Sequence, residues 1–205
     1  EARTPLLGSQ QVKELEEVSI VIDDFTSGKY TFTAPTGHEK NSLAQQGTMR
    51  GGWRRTSILS QANPRNQPFH ADIAAQGIDV GTGLLHLTVG TRSIVHLELH
   101  YGWGNGTTAA PLKLDLTQFT KLRINFDCTV AGGTIVNWYY FSGDGRRTAV
   151  ADHVNQASLF HGFPFDLTIP TVPSEANQAN PKDVQKMFIE FDARTGFAIE
   201  SLELI

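Results

Sequence analysis

Ser93-Ile94-Val95-His96-Leu97-Glu98-Leu99-His100-Tyr101 alternates without a break. Val95, Leu97, Leu99 and Tyr101 fall on one side of an extended chain, and Ile94, His96, Glu98 and His100 fall on the other. A period of two, with one apolar and one mostly polar set, marks a strand buried on a single face. Further strand candidates lie on both sides of it, at 18–25, 29–34, 52–59, 83–89, 121–128, 133–142, 147–151, 163–169, 186–192 and 198–205. In 135–141, Val136, Trp138 and Tyr140 share one face and Asn137 and Tyr139 the other, so one set must be core.

Turn chemistry separates these runs: Ser27-Gly28, Asn63-Pro64, Gly104-Asn105-Gly106, Ser142-Gly143-Asp144-Gly145 and Thr195-Gly196. The segment 142–146 reads as the clearest hairpin. The best helix candidate is 10–17 (QQVKELEE), for which a mobile arm is an equal reading, and one helical turn fits after Pro181. At the ends stand two bookends, Ile20-Val21-Ile22-Asp23-Asp24-Phe25 and Phe197-Ala198-Ile199-Glu200-Ser201-Leu202-Glu203-Leu204-Ile205. Many short strands without convincing helices predict an all-β, antiparallel β-sandwich of jelly-roll type with its terminal strands adjacent. An arm or short helix over 1–19 is expected to precede a single domain over 20–205, with no repeat and no linker inside it.

Composition narrows the function classes. A chain of 205 residues can bury a sizeable core. Its net charge of −4 offers no basic field, which argues against nucleic acid as the partner. No apolar run approaches the ~20 residues of a membrane span. The single cysteine, Cys128, allows no intrachain disulfide and reads as a small buried hydrophobe. Low charge and scarce methionine, with abundant Gly, Thr and Asn, suit an extracellular β-protein. The start at Glu1-Ala2 reads as the remnant of a secretion leader or a processed end, so a secreted protein is expected. Asn105-Gly106-Thr107 is a sequon that a eukaryotic host would glycosylate at Asn105.

Three short segments carry a resemblance. Ile22-Asp23-Asp24-Phe25-Thr26-Ser27-Gly28 resembles the I-D-D-F-S-x-G start of a family of secreted bacterial β-sandwich proteins. Gly47-Thr48-Met49-Arg50-Gly51-Gly52-Trp53-Arg54-Arg55 is similar to that family's G-S-M-x-G-G-x-R segment, and Leu114-Asp115-Leu116-Thr117 to its x-D-L-T turn. The closing strand resembles the last strand of galactose-binding-like carbohydrate-binding modules. The resemblance implies a secreted jelly roll and implies no settled activity.

Three constellations are able to carry chemistry. His96, Glu98 and His100 share one strand face and are candidates for metal ligation or catalysis, or for a polar ligand-facing surface. Asp23, Asp24, Glu200 and Glu203 converge if the terminal strands pair. Oxygen ligands suit Ca²⁺, and Asp24 with Glu200 is the candidate pair for a structural ion; charges that blunt a sheet edge are the alternative. Trp53, Tyr101 and Trp103, with Arg54 and Arg55 beside them, are candidate sugar-binding residues, because indole and phenol rings stack on the C–H faces of sugars. Arg50, Arg146 and Arg147 add cations able to hold a carboxylated glycan. No nucleophile elbow, phosphate loop or Cys-x-x-Cys pair occurs. The expected function is therefore binding of a polysaccharide or other glycan by a secreted module. A lyase or glycoside hydrolase on the same fold, and a structural or adhesion protein, are the alternatives.

Overall fold

Among the residues that the computed structural model describes (18–34, 40–62, 65, 67–75, 83–90, 92–129, 133–155, 162–170 and 178–205), thirteen strands divide between two antiparallel sheets. In chain order they are β1 (Ile20–Asp23), β2 (Tyr30–Ala34), β3 (Lys40–Gln46), β4 (Trp53–Ala62), β5 (Phe69–Ala75), β6 (Gly83–Thr88), β7 (Ile94–Tyr101), β8 (Lys121–Thr129), β9 (Thr134–Ser142), β10 (Arg147–Val154), β11 (Phe163–Thr168), β12 (Val184–Ala193) and β13 (Phe197–Leu204). Sheet A runs β11-β8-β13-β6-β5-β2, with β1 also paired to β13. Sheet B runs β10-β9-β12-β7-β4-β3. This is the expected all-β antiparallel sandwich of the jelly-roll type.

The bookends meet as expected: Ile20 lies opposite Leu204 and Val21 opposite Glu203. Strand β13 gives the first part of the same flank to β6, with Ile199 opposite Leu85. Glu200 stands exposed at the changeover, within a register shift against β8. The alternation of the sequence becomes the core. Val95, Leu97 and Leu99 of β7, Ile189 and Phe191 of β12, and Val136 and Trp138 of β9 are buried in the same cluster as Leu85, Leu122, Ile124, Phe126, Ile199 and Leu202 of sheet A. The inward set of β9 is therefore Val136, Trp138 and Tyr140, and Asn137 and Tyr139 face out.

Two strands, β3 and β5, are absent from the sequence reading. In β3 (KNSLAQQ) only Gln45 is buried, so an outer strand next to β4 gives no apolar rhythm. In β5 (FHADIAA) Phe69, Ala71 and Ile73 do point inward, but a central alanine damps the signal. The hairpin at 142–146 forms as read, with Ser142 N donating to Arg146 O at 3.0 Å and Gly145 at φ 83°. One 3₁₀ turn, Leu116–Gln118, is capped by the Asp115 carboxylate, which accepts from Thr117 N. The helix candidate at 10–17 lies outside the described residues, as does most of the arm. Among the described residues no helix is long and apolar enough to cross a membrane.

A buried ionic knot ties the first strand to sheet B. Asp23 and Arg54 are both fully buried, with Arg54 Nη1 donating to Asp23 Oδ2 at 2.6 Å. The Tyr101 hydroxyl donates to the same oxygen at 2.9 Å, and Phe25 N donates to Oδ1 at 2.9 Å. Arg54 Nη2 donates to the carbonyls of Ser27 and Gly28, and the Phe25 ring lies 5.4 Å from the guanidinium carbon. Burial, with the Asp23 charge beside it, holds the Tyr101 phenol far above its ordinary pKa, so it remains a donor. Two expectations are corrected here. Arg54 and Tyr101 were expected to face a ligand, yet both are at 0% exposure and are consumed by Asp23. On β4 the inward set is Arg54, Thr56 and Ile58, and a buried arginine is stable there only because a buried carboxylate meets it.

Candidate functional site

The outward residues of sheet B form rows across the strands. One row reads Arg55 (β4), His100 (β7), Phe188 (β12), Tyr139 (β9). The next reads Ser57, Glu98, Glu190, Asn137, and the third Leu59, His96, Asp192, Ile135. The three residues singled out on β7 thus share a face, as period two requires, and β12 adds two carboxylates to them.

Hydrogen bonds link the cluster. His96 Nδ1 lies 2.8 Å from Asp192 Oδ1, and Nε2 lies 3.0 Å from Glu98 Oε1 and 3.6 Å from Glu190 Oε2. The other Glu98 oxygen is 2.7 Å from His100 Nε2. Asn137 Nδ2 donates to Glu190 Oε1 at 2.8 Å. With a carboxylate at each nitrogen, both nitrogens of His96 are donors and the ring is an imidazolium. The Glu98 hydrogen bond above all, aided by Asp192 and Glu190, lifts His96 to about 9 against the desolvation that opposes charge. Hydrogen bonds from His100 and His96 hold Glu98 down at about 2. Side-chain exposures of 15–26% leave this cluster reachable from solvent.

Beside it runs an aromatic ridge. Phe188 stacks between His100 (centroids 4.9 Å, planes 23° apart) and Tyr139 (4.4 Å, 22°). Near-parallel rings at the strand spacing must stack face to face, so they stand up from the sheet with their edges outward. Trp103 meets His100 and Phe141 edge-on at 5.2 and 5.7 Å, and Lys186 Nζ sits 5.4 Å from its ring centre. Gly102 at φ 93° and Gly104 at φ 65° set the indole in place. A Cβ on Gly104 would lie 1.7 Å from Thr108 O, so the loop closes only with glycine there. Trp103 thus lies in the 102–108 loop, half-buried against its neighbours.

One groove borders the polar cluster and another borders the ridge. The first, of about 420 Å³, is lined by Lys40, Ser42, Ser57, Leu59, His96 and Glu98. The other, of about 490 Å³, is lined by Trp103, Phe141, Gly143, Gln185 and Lys186. Trp53 and Arg55 face outward on β4, both half-buried, and Arg55 Nη2 lies against Gly106. Asn105 is exposed in the 102–108 loop, where its side-chain oxygen accepts from Thr107 and Thr108. Asp24 is exposed and its Oδ1 accepts from both N and Oγ1 of Thr26. Among the described residues the group of three ligand-type side chains close enough to share one ion is His96, Glu190 and Asp192, which does not include Asp24 or Glu200. Sequence reading missed Glu190, Asp192, Asn137 and Phe188. Phe188, Glu190 and Asp192 alternate onto one face of β12 and Asn137 stands on β9; only the pairing of β12 with β7 and with β9 brings them to His96.

No protein-family model matches the chain. No curated protein matches it either. Among solved structures it is similar to the family 11 carbohydrate-binding module of a cellulosomal cellulase of Clostridium thermocellum, at 8% identity and TM-score 0.41 over 92% of this chain and 94% of that one. It is also similar to the module TmCBM61, solved with β-1,4-galactotriose, at 12% identity and TM-score 0.34 over 82% and 90% of the two chains. An exo-β-agarase is similar at 11% identity and TM-score 0.34, over 84% of this chain and 23% of that one. These neighbours are β-sandwich carbohydrate-binding modules and a glycan-acting enzyme, and likeness at this level assigns no ligand to this chain.

Proposed function

We propose that the protein is a secreted carbohydrate-binding module that holds a polysaccharide across the outer face of sheet B. One observation carries the reading: hydrogen-bonding groups and aromatic rings occupy adjacent rows of one solvent-facing sheet, with a groove on either side. Glu98, Glu190, Asp192 and Asn137 are suited to sugar hydroxyls. Trp103 is suited to C–H surface beside them, and Phe188, covered on both faces by His100 and Tyr139, braces the ridge. Glu98 is held ionised at neutral pH, so it accepts hydrogen bonds and makes a poor general acid for glycoside cleavage.

The test is retention on affinity gels across a panel of soluble polysaccharides, with a parallel assay for new reducing ends and unsaturated products. Retention without product supports the module. Product formation abolished by Glu98→Gln supports an enzyme on the same face. Absence of retention on every glycan overturns the proposal.

A further inference from the structure

The two outer faces treat their carboxylates differently. On sheet A, Asp166 accepts Arg123 Nε and Nη2 at 2.8 and 3.0 Å and Lys121 Nζ at 2.9 Å. On sheet B, Glu98, Glu190 and Asp192 crowd around His96, and among the described residues none of the three forms an ion pair with a lysine or arginine. Three partly buried negative charges share imidazoles and one amide, an arrangement that a compact divalent cation relieves.

We propose that His96, Glu190 and Asp192 form a site for a divalent metal of the Zn²⁺ class. One nitrogen or oxygen atom from each lies within 4.8 Å of the others. Bonds of about 2.0–2.2 Å place the ligand atoms of one ion roughly 3–4 Å apart, so small side-chain rotations close the shell. The imidazole in the donor set selects Zn²⁺ and its first-row neighbours over Ca²⁺, which takes oxygen ligands.

The supports of a metal centre are also present. Asn137 donates to Glu190 at 2.8 Å and fixes that carboxylate. The ion displaces the proton of one His96 nitrogen to solvent, and the other nitrogen stays a donor to the remaining carboxylate, which holds the ring's orientation. His96 and Asp192 are directly paired across β7 and β12, so rigid strands set their spacing. Water fills the positions that face solvent. The site shares Glu190 and Asp192 with the glycan reading, but the probe is the metal alone, so the two readings fail separately.

The experiment titrates ZnCl₂ into chelator-dialysed protein by calorimetry. One ion per chain with micromolar or tighter affinity is expected. Glu190→Gln and Asp192→Asn each weaken it tenfold or more, whereas His153→Ala, an exposed histidine on β10, leaves it unchanged. Ca²⁺ in large excess fails to displace the zinc. Circular dichroism checks that each variant is folded. The His96 ring ¹⁵N resonances of the wild type, shifting on zinc addition, give a readout that needs no variant. Wild type without stoichiometric uptake, unchanged affinity in both carboxylate variants, silent His96 resonances or displacement by Ca²⁺ would each overturn the proposal.

Discussion

Arg54→Met is expected to be among the most damaging single changes on sheet B. It removes the cation from a fully buried carboxylate and leaves Asp23 with only the Tyr101 hydroxyl and Phe25 N–H as donors. Truncating one partner of a buried pair costs about 3–5 kcal/mol, because the surviving charge remains without its counterion. A domain of this kind has roughly 5–15 kcal/mol in total. At about 2–4 °C per kcal/mol for a chain of this length, the melting temperature falls by roughly 6–20 °C. Asp23→Asn is expected to cost a similar amount, since Arg54 then keeps only the Ser27 and Gly28 carbonyls. Tyr101→Phe deletes one neutral donor and costs about 1–3 kcal/mol.

The decisive measurement is a double-mutant cycle by urea unfolding, followed through tryptophan fluorescence, for which Trp138 is a buried reporter. Asp23→Asn with Arg54→Met leaves no buried charge. The pair should therefore cost less than the sum of the single changes by about 2 kcal/mol. The reasoning is refuted if Arg54→Met costs under about 1 kcal/mol, or if the two changes simply add.

The His96–Glu98 contact predicts two limbs in stability against pH. The raised histidine stabilises below its ordinary 6.5, and that contribution is lost as pH climbs through about 9. The lowered glutamate stabilises above 4.5 and loses its contribution as pH falls through about 2. Urea melts from pH 5 to 9 should show the alkaline limb in wild type and a flatter one in His96→Gln; equal slopes exclude the contact as its origin. Trp103→Ala should weaken glycan retention by ~1–3 kcal/mol, roughly ten- to a hundredfold, and unchanged retention removes Trp103 from the platform. It should also cost some stability, since the indole packs on His100, Phe141 and Phe188. A structural Ca²⁺ at Asp24 and Glu200 predicts a lower melting temperature after chelation, restored by calcium and not by zinc. An unchanged melt with no calcium by elemental analysis removes that ion.

How far the sequence reaches depends on how local the deciding interaction is. The alternation of β7 and β9 assigns buried and exposed faces within a few residues, and the bookends announce the β1–β13 pair by composition alone. On β4 the same rule misleads. Trp53, Arg55, Ser57 and Leu59 read as the more apolar set against Arg54, Thr56 and Ile58, yet Leu59 is 41% exposed and Arg54 fully buried. Arg54 can lie on the buried face because Asp23, 31 residues away in the chain, meets it there. Period two sees only a strand's own side chains and cannot register a distant countercharge.

The candidate site is hidden in the same way. His96 and Asp192 are 96 positions apart and become neighbours only through the register of β7 on β12. A shift of one residue in that register would turn Glu190 and Asp192 inward and Ile189 and Phe191 out. The burial of Ile189 and Phe191 in the core therefore holds the carboxylates on the outer face, against His96. The polar cluster is thus a consequence of hydrophobic packing on the opposite side of the same strand. Core substitutions on β12 should accordingly disturb ligand or metal binding before any outward residue is touched. Phe191→Ala, expected to cost about 3–5 kcal/mol as a cavity in the core, is the direct probe. If the protein remains folded and zinc or glycan affinity is unaltered while stability falls by that amount, the outer cluster is held by its own hydrogen bonds and not by the register beneath it.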